Sequence, residues 1–358
     1  MIRFKCLISG FLLVVLIISL VATTCAQEAP ETGDRKRAKV QEWEPATWTG
    51  AGLVWDGLVY LSELITEESG GRIVVTPTLP DAICPVDEQL DYVAAGATEC
   101  MVPYPGYYGG KNPVFLLQGS GFVAAQNPME LAYLVSGFEG GKLEQVLRQV
   151  YADYGDVYYV GNVYRRADAI MSTKIPVRKL DDVKGVMFRT SELLALTLAH
   201  FGAGTVWAPG PEIYTMLATG AVEGVTFENA AMMYAMGFNE VTRYWVKEPI
   251  LAGPDQDSLV VNGTVWKSLD EDLQKIVADA LVAATWHNIV AAEIEINEAW
   301  VKVAQEGIEI VTWPEEDGVR WYQGMWQVLN KEYRGKPGTE EVFEIYKDFL
   351  KYMGRLGS

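Results

Sequence analysis

Histidine is almost missing from this chain: only His200 and His287 occur among 358 residues. One falls in a predicted helix and the other in a second, distant one, so they support neither a nucleophile–base triad nor a His-rich metal set. Cysteine is scarce too, with four in all. No Cys–His cluster exists, which argues against a zinc or redox centre. The G-x-S-x-G, H-E-x-x-H and Walker patterns are absent, and Gly119-Ser120-Gly121 reads only as a turn. Positive charge is in short supply: 29 Lys and Arg face 47 Asp and Glu, for a formal net charge of -18. Such a balance disfavours nucleic acid and anionic membrane surfaces as partners. A second long apolar run is also lacking. The first, Phe11 to Val21, is short for a membrane span even when extended back to Leu7.

What is present begins with a targeting signal. Arg3 and Lys5 precede the apolar run, and Thr23-Thr24-Cys25-Ala26 follows it with small residues. We read residues 1–26 as a secretory signal peptide, which places the mature protein in the periplasm. Lipid anchoring at Cys25 stays open but is not favoured, because Ala22-Thr23-Thr24 makes a poor lipobox. Residues 27–39 are polar and without periodicity, as in a flexible tether. In an exported protein Cys84 and Cys100 are either a disulfide or two buried thiols.

The most informative stretch runs from Leu180 to Asn229. Val186-Met187-Phe188 is a strand that ends at Arg189. Thr190 and Ser191 offer caps for a helix with Leu193, Leu196 and His200 at helical spacing, stopped by Gly202 and Gly204. A second strand begins at Val206. A helix opened by Pro211 and Glu212 follows, then a third strand over Val222 to Phe227. Strand–helix alternation of this kind predicts a parallel sheet whose ligands bind beyond the carboxyl ends of the strands. Arg189 and Phe227 stand at two such ends. A guanidinium fork matches a carboxylate through two charge-assisted hydrogen bonds, so Arg189 is the first candidate for ligand contact.

A similar β-α-β-α-β series precedes it. A strand near Val40–Trp43 leads to a helix over Ala51 to Glu68, ended by Gly70-Gly71. Arg72 to Thr76 form a strand, Val86 to Ala95 a helix, and Thr98 to Val102 a strand. The chain crosses between lobes over Val157 to Asn162 and again near Val246 to Val261, as a hinged clamshell requires. Leu269 to Glu306 reads as one long helix. The rest, from Gly318 to Gly354, is mostly helical. Its aromatic residues, Trp321 and Phe349 among them, must pack on the body or on a second subunit. The predicted division is 40–162 with about 248–285 as lobe I, and 163–247 with about 286–358 as lobe II and C-terminal helices.

Several short motifs in this order resemble the solute receptors of TRAP transporters. They are Gly70-Gly71-Arg72, Tyr107-Tyr108-Gly109-Gly110-Lys111-Asn112-Pro113, Lys184-Gly185 with Arg189, Gly202-Ala203, Glu212-Ile213-Tyr214 with Leu217, and Gly220 with Glu223-Gly224. The resemblance covers the chain from about Trp43 to the C-terminal helix. The Tyr107 motif is closest to the 2-oxoacid, mannitol and chloroaromatic type. The fold implied is a periplasmic-binding-protein-like clamshell of two Rossmann-like α/β lobes, with a long spine helix and a helical C-terminus.

The function implied is extracytoplasmic capture of a small organic acid and delivery to TRAP membrane permease subunits, without catalysis and without a cofactor. A sensor for a membrane kinase, or a carboxylate-only periplasmic enzyme, are the alternatives. Ligand contact is expected from Arg189, Arg166, Phe227, Tyr107, Tyr108 and Trp48, with Glu212 and Asn229 in supporting positions. Arg166 stands nine residues before Ile175-Pro176, where many of these receptors carry a second ligand-facing arginine. The neighbouring Arg165 competes for that role. The 2-oxoacid type instead has a glutamine there and a Glu-Trp pair where this chain has Thr226-Phe227, and both help hold a cation. Their replacement implies a site without metal. Asp257 is a weaker candidate, to recognise an amine or to hold an arginine. A homodimer through the C-terminal helices stays open, as does the identity of the acid.

Overall fold

The computed structural model describes residues 40–355, apart from 168, 191 and 209. Its strands β1 (Gln41–Trp43) and β2 (Ile73–Val75) pair in parallel, joined by the helix Gly52–Glu68. Leu58, Leu61 and Ile65 recur on one face of that helix and are buried. Gly70 and Gly71 end it with φ of 63° and 76°, a left-handed turn that costs glycine little. The helix over Val86 to Ala95 is shorter than the sequence suggests, Gln89–Ala94, since Val86 is tied to an Asp81 side chain in the preceding turn.

Strand β3 (Cys100–Met101) begins a second sheet, completed by β4 (Val157–Arg165) and the later strand β10 (Asp255–Asn262) in the order β3-β10-β4. The two long members are the predicted crossing segments. They run antiparallel, side by side, with Asp255 opposite Arg165 and Asp257 opposite Val163. The other lobe has six strands: β5 (Ile170–Thr173), β6 (Met187–Arg189), β7 (Gly204–Val206), β8 (Gly224–Phe227), β9 (Tyr244–Glu248) and β11 (Glu309–Thr312). Their order is β11-β9-β5-β8-β6-β7. The predicted parallel unit is β8-β6-β7, while β5 is antiparallel to both its neighbours. The architecture is thus α/β with two lobes.

One helix, Glu271–Gln305, serves both lobes. Its first half puts Leu273, Val277 and Leu281 against Leu58, Leu61 and β10. Its second half puts Ile296, Ala299 and Val303 against Ile213, Leu217 and Trp245. The C-terminal aromatics pack on the protein's own body. Phe343, Tyr346 and Phe349 of the helix Thr339–Tyr352 are fully buried, the Tyr346 hydroxyl donates to Leu117 O at 2.6 Å, and Phe349 meets Phe138 edge-on at 5.2 Å. That contact buries the apolar face of this helix in the chain's own core. Cys84 and Cys100 are both buried free thiols in separate core clusters, which settles the open pairing against a disulfide. The predicted signal, the tether and Cys25 lie outside the described residues. Among the described residues no helix is long and apolar enough to cross a membrane.

Candidate functional site

Arg189 is the last residue of β6, held between β8 and β7 by register with Val225 and Val206. Only 5% of it is exposed. Its Nε and Nη2 both donate to one oxygen, Ala208 O, at 2.9 and 2.6 Å. The guanidinium carbon lies 5.0 Å from the centre of the Phe227 ring, at the end of β8. No carboxylate among the described residues answers its charge. Burial alone acts on it and pushes its pKa below the ordinary arginine value. A guanidinium has five N–H donors, and among the described residues a single carbonyl accepts from it. Beneath it the Thr226 hydroxyl donates to Thr190 Oγ1 at 2.7 Å, so these two buried hydroxyls satisfy each other.

Arg165 is buried to a similar depth, with 7% exposed, and its surroundings are the opposite. Its Nη2 lies 3.0 Å from Asp255 Oδ2, and its Nε 2.8 Å from Asp257 Oδ2. The second contact lacks hydrogen-bond alignment, since the Nε–H has no directed acceptor, and is held by charge alone. The Trp48 ring lies 5.3 Å from the guanidinium, and Trp48 Nε1 donates to Asp257 Oδ1 at 3.0 Å. Burial pushes the Asp257 carboxyl up to about 7; Arg165 opposes that rise and Asp255 adds to it. Burial also raises Asp255. Behind this group a cavity of about 10 Å³ is bounded by Gly57, Arg165, Asp257 and Asn288. It holds a water at most and is too small for an organic acid.

Arg166 is placed elsewhere. It pairs with Glu293 on the outer side of the long helix, half-buried. The reason is strand parity: β4 continues to Arg165, so Arg165 shares a face with Val163 and the two aspartates, and the residue after it leaves that face. Of the adjacent arginines, the one set among buried groups is therefore Arg165. Tyr108 also departs from its expected role. It is 1% exposed, its hydroxyl donates to Val86 O at 2.9 Å and accepts from Leu90 N, and it anchors the helix Gln89–Ala94 from within the core. The 3₁₀ turn Pro105–Tyr108 separates the two tyrosines. Tyr107 remains 43% exposed, with its ring edge-on to Tyr104 at 5.3 Å.

Asn229 caps the helix Ala230–Ala235. Its Oδ1 accepts from Met232 N at 3.1 Å, and its Nδ2 donates to Arg166 O at 2.9 Å. It thereby ties the end of β8 to the end of β4. Glu228, between Phe227 and Asn229, acts electrostatically on both Arg165 and Asp257. Arg189 and Phe227 form one contact and Arg165, Asp257 and Trp48 another, with Glu228 of the second set following Phe227 in the chain. Glu212 is exposed in the first turn of the helix Gly210–Thr219, where it complements the helix dipole. Asp255 and the Ala208 carbonyl are absent from the sequence reading. Asp255 is found only through the β4–β10 register, and a carbonyl partner leaves no residue-type signal. Among the described residues no group of three or more His, Cys, Asp or Glu is arranged to hold a metal.

The model of bacterial extracellular solute-binding protein family 7 matches residues 47–336. The chain belongs to that family, the solute receptors of TRAP transporters, and is a binding protein rather than an enzyme. It is similar to the monocarboxylate 2-oxoacid-binding periplasmic protein of Nostoc sp. PCC 7120, 23% identical over 315 residues, covering 86% of this chain and 84% of that protein. It is also similar to the ectoine/5-hydroxyectoine-binding periplasmic protein of Ruegeria pomeroyi, 29% identical over 221 residues, 58% of this chain and 61% of that one. The apo open crystal structure of a TRAP periplasmic solute-binding protein from Rhodobacter sphaeroides superposes with a TM-score of 0.77 at 18% identity, over 89% of this chain and 100% of the other.

Proposed function

We propose that this receptor captures a small organic monoacid between its lobes and delivers it to a TRAP membrane permease. The observation that carries the reading is Arg189: a buried guanidinium with, among the described residues, one carbonyl for a partner and no counter-ion. An isolated buried charge is costly, and a ligand carboxylate removes that cost. Phe227 supplies the apolar wall beside it. Trp48, held by Asp257 beside Arg165, and the exposed Tyr107 are the aromatic candidates from the first lobe. Arg165 and Arg166 are already answered by carboxylates, so the region offers one anion site and not two. The 2-oxoacid-binding relative supports the same ligand class. The two paired crossing strands act as the hinge, in keeping with a division near residues 162 and 248.

A thermal-shift screen of mono- and dicarboxylic acids tests the reading. A ligand bound only by the folded state at 100-fold excess over its Kd adds about 2.7 kcal/mol. We expect monoacids to raise the Tm and dicarboxylates of similar size to fail. X-ray scattering at saturation should show a smaller radius of gyration for the bound form. An absence of stabilisation by any carboxylate would contradict the reading.

A further inference from the structure

Arg189 is held in place by two groups that carry no charge. Nε and Nη2, the donors on one edge of the guanidinium, both donate to the Ala208 carbonyl. The far end of the group keeps an N–H on Nη1 and another on Nη2, side by side and without an acceptor among the described residues. The guanidinium carbon lies over the Phe227 ring at 5.0 Å from its centre, within the range of a cation–π contact. The ring is itself braced: Phe238, fully buried, meets it edge-on at 6.3 Å. The loop that carries Ala208 also reaches this ring, since a carbon added to Gly210 would lie 4.0 Å from Phe227 Cζ and 3.8 Å from Met236 Cε.

We propose that Phe227 is a positioning residue, which with the Ala208 carbonyl aims the Arg189 fork so that a ligand carboxylate is received end-on, by Nη1 and Nη2. The inference rests on the reading of Arg189 as the carboxylate receptor. Arg165 is fixed by Asp255 and Asp257, and its charge is thereby cancelled inside the protein. A carbonyl dipole and a ring quadrupole fix a guanidinium's direction and leave its charge available. The arginine stem has several rotatable bonds, and a loose guanidinium would have to be ordered by the ligand at a cost in affinity. Side-on approach is closed, because the Nε–Nη2 edge already serves Ala208. A carboxylate arriving at the free end meets the two remaining donors in line and makes two parallel charge-assisted hydrogen bonds.

This role differs from that of an apolar wall. A wall acts on the ligand's tail, so its loss weakens long-tailed acids more than short ones, and another apolar side chain of similar bulk replaces it. A positioning ring acts on Arg189. Its loss weakens every carboxylate by the same factor, one with no tail included, and only another aromatic face replaces it. The two roles also part in the ligand-free protein. A guanidinium held on one edge and covered on one face keeps its Nε–H from exchanging with water, and that protection falls when the ring is removed.

The test compares the full chain with Phe227→Leu, Phe227→Tyr and Arg189→Ala, by calorimetry and by nitrogen–hydrogen correlation NMR of the arginine side chains. Arg189→Ala assigns the Arg189 signals by their loss. The probes are acetate, which has no tail, and pyruvate and 2-oxopentanoate, which differ in tail length. We expect Phe227→Leu to weaken all of them equally, by about tenfold. Phe227→Tyr should bring affinity back to within about threefold of the wild type. The Arg189 Nε–H should exchange slowly in the wild type and in Phe227→Tyr, and faster in Phe227→Leu. Added acetate should move the Nη signals and leave Nε in place. Phe227→Met replaces Phe227→Leu if that variant fails to fold by circular dichroism. Wild-type affinity in folded Phe227→Leu overturns the proposal. So does a loss confined to the longest acid, which would make Phe227 a wall and nothing more, or a larger shift at Nε than at Nη, which would make the approach side-on. If none of the probes binds, Nε–H exchange decides: an unchanged rate in Phe227→Leu overturns the positioning role, and a faster one upholds it. If Arg189→Ala abolishes binding while Phe227→Leu does nothing, the proposal fails and the receptor reading stands. If the probes bind Arg189→Ala as well as wild type, both fail.

Discussion

Arg165 and Arg189 are buried almost equally and do opposite work. Arg165 lies among two carboxylates and an indole, so its charge is matched inside the protein before any ligand arrives. It fastens the two crossing strands where they enter the second lobe. Among the described residues Arg189 has a carbonyl and a phenyl ring and no counter-ion. Depth of burial alone therefore says little about function. What distinguishes a receptor arginine from a structural one is whether its charge is already answered.

The sharpest way to break this contrast is to remove each arginine and measure stability without ligand. Arg165→Met leaves two buried carboxylates facing each other. Losing one partner of a buried ionic group costs about 3–5 kcal/mol, which should appear as a large drop in the denaturant midpoint. Arg189→Met should leave stability unchanged or raise it, since it removes a buried charge that nothing offsets. A loss at Arg189 as large as that at Arg165 would erase the distinction.

A smaller effect follows from Asp257. Its folded-state pKa, about 7, lies above that of an unfolded aspartate. A raised carboxyl pKa stabilises the fold at low pH and loses that contribution as pH rises through the folded value. Ligand-free stability should decline from about pH 4 to about pH 7 on this account, and Asp257→Asn should flatten that part of the profile. An identical slope in the variant would assign the titration to another group. Smallest of all is Arg166→Ala. Its partner Glu293 is exposed, and such pairs are worth about 0–1 kcal/mol. Urea unfolding should barely move, and ligand affinity should stay within about threefold of the wild type. A loss of binding comparable to that of Arg189 would return Arg166 to the site.

Much of the second lobe was legible because each link is local. Apolar runs, a glycine after each helix and a charged residue at a strand end placed Arg189 and Phe227 without long-range information. The long helix was legible from its unbroken length. What escaped depended on parity and pairing. Arg165 and Arg166 exchange roles according to whether β4 stops at Asn162 or continues three residues further, and no local signal fixes that end. Asp255 matters only through a register with a strand 90 residues earlier. Tyr107 and Tyr108 look equivalent in sequence, yet one turn of 3₁₀ helix sends Tyr108 into the core and leaves Tyr107 outside. The C-terminal aromatics announced a buried face but not which surface buries it.

The most direct test of the account is isothermal titration of wild type, Arg189→Ala and Arg189→Lys with the carboxylate that stabilises the wild type most. Losing the bidentate partner of a desolvated carboxylate costs about 2–5 kcal/mol, so Arg189→Ala should show no measurable heat. Arg189→Lys should fail nearly as badly, because an ammonium cannot reproduce the fork. Affinity within about threefold of wild type in a folded Arg189→Ala protein would contradict the account at its centre.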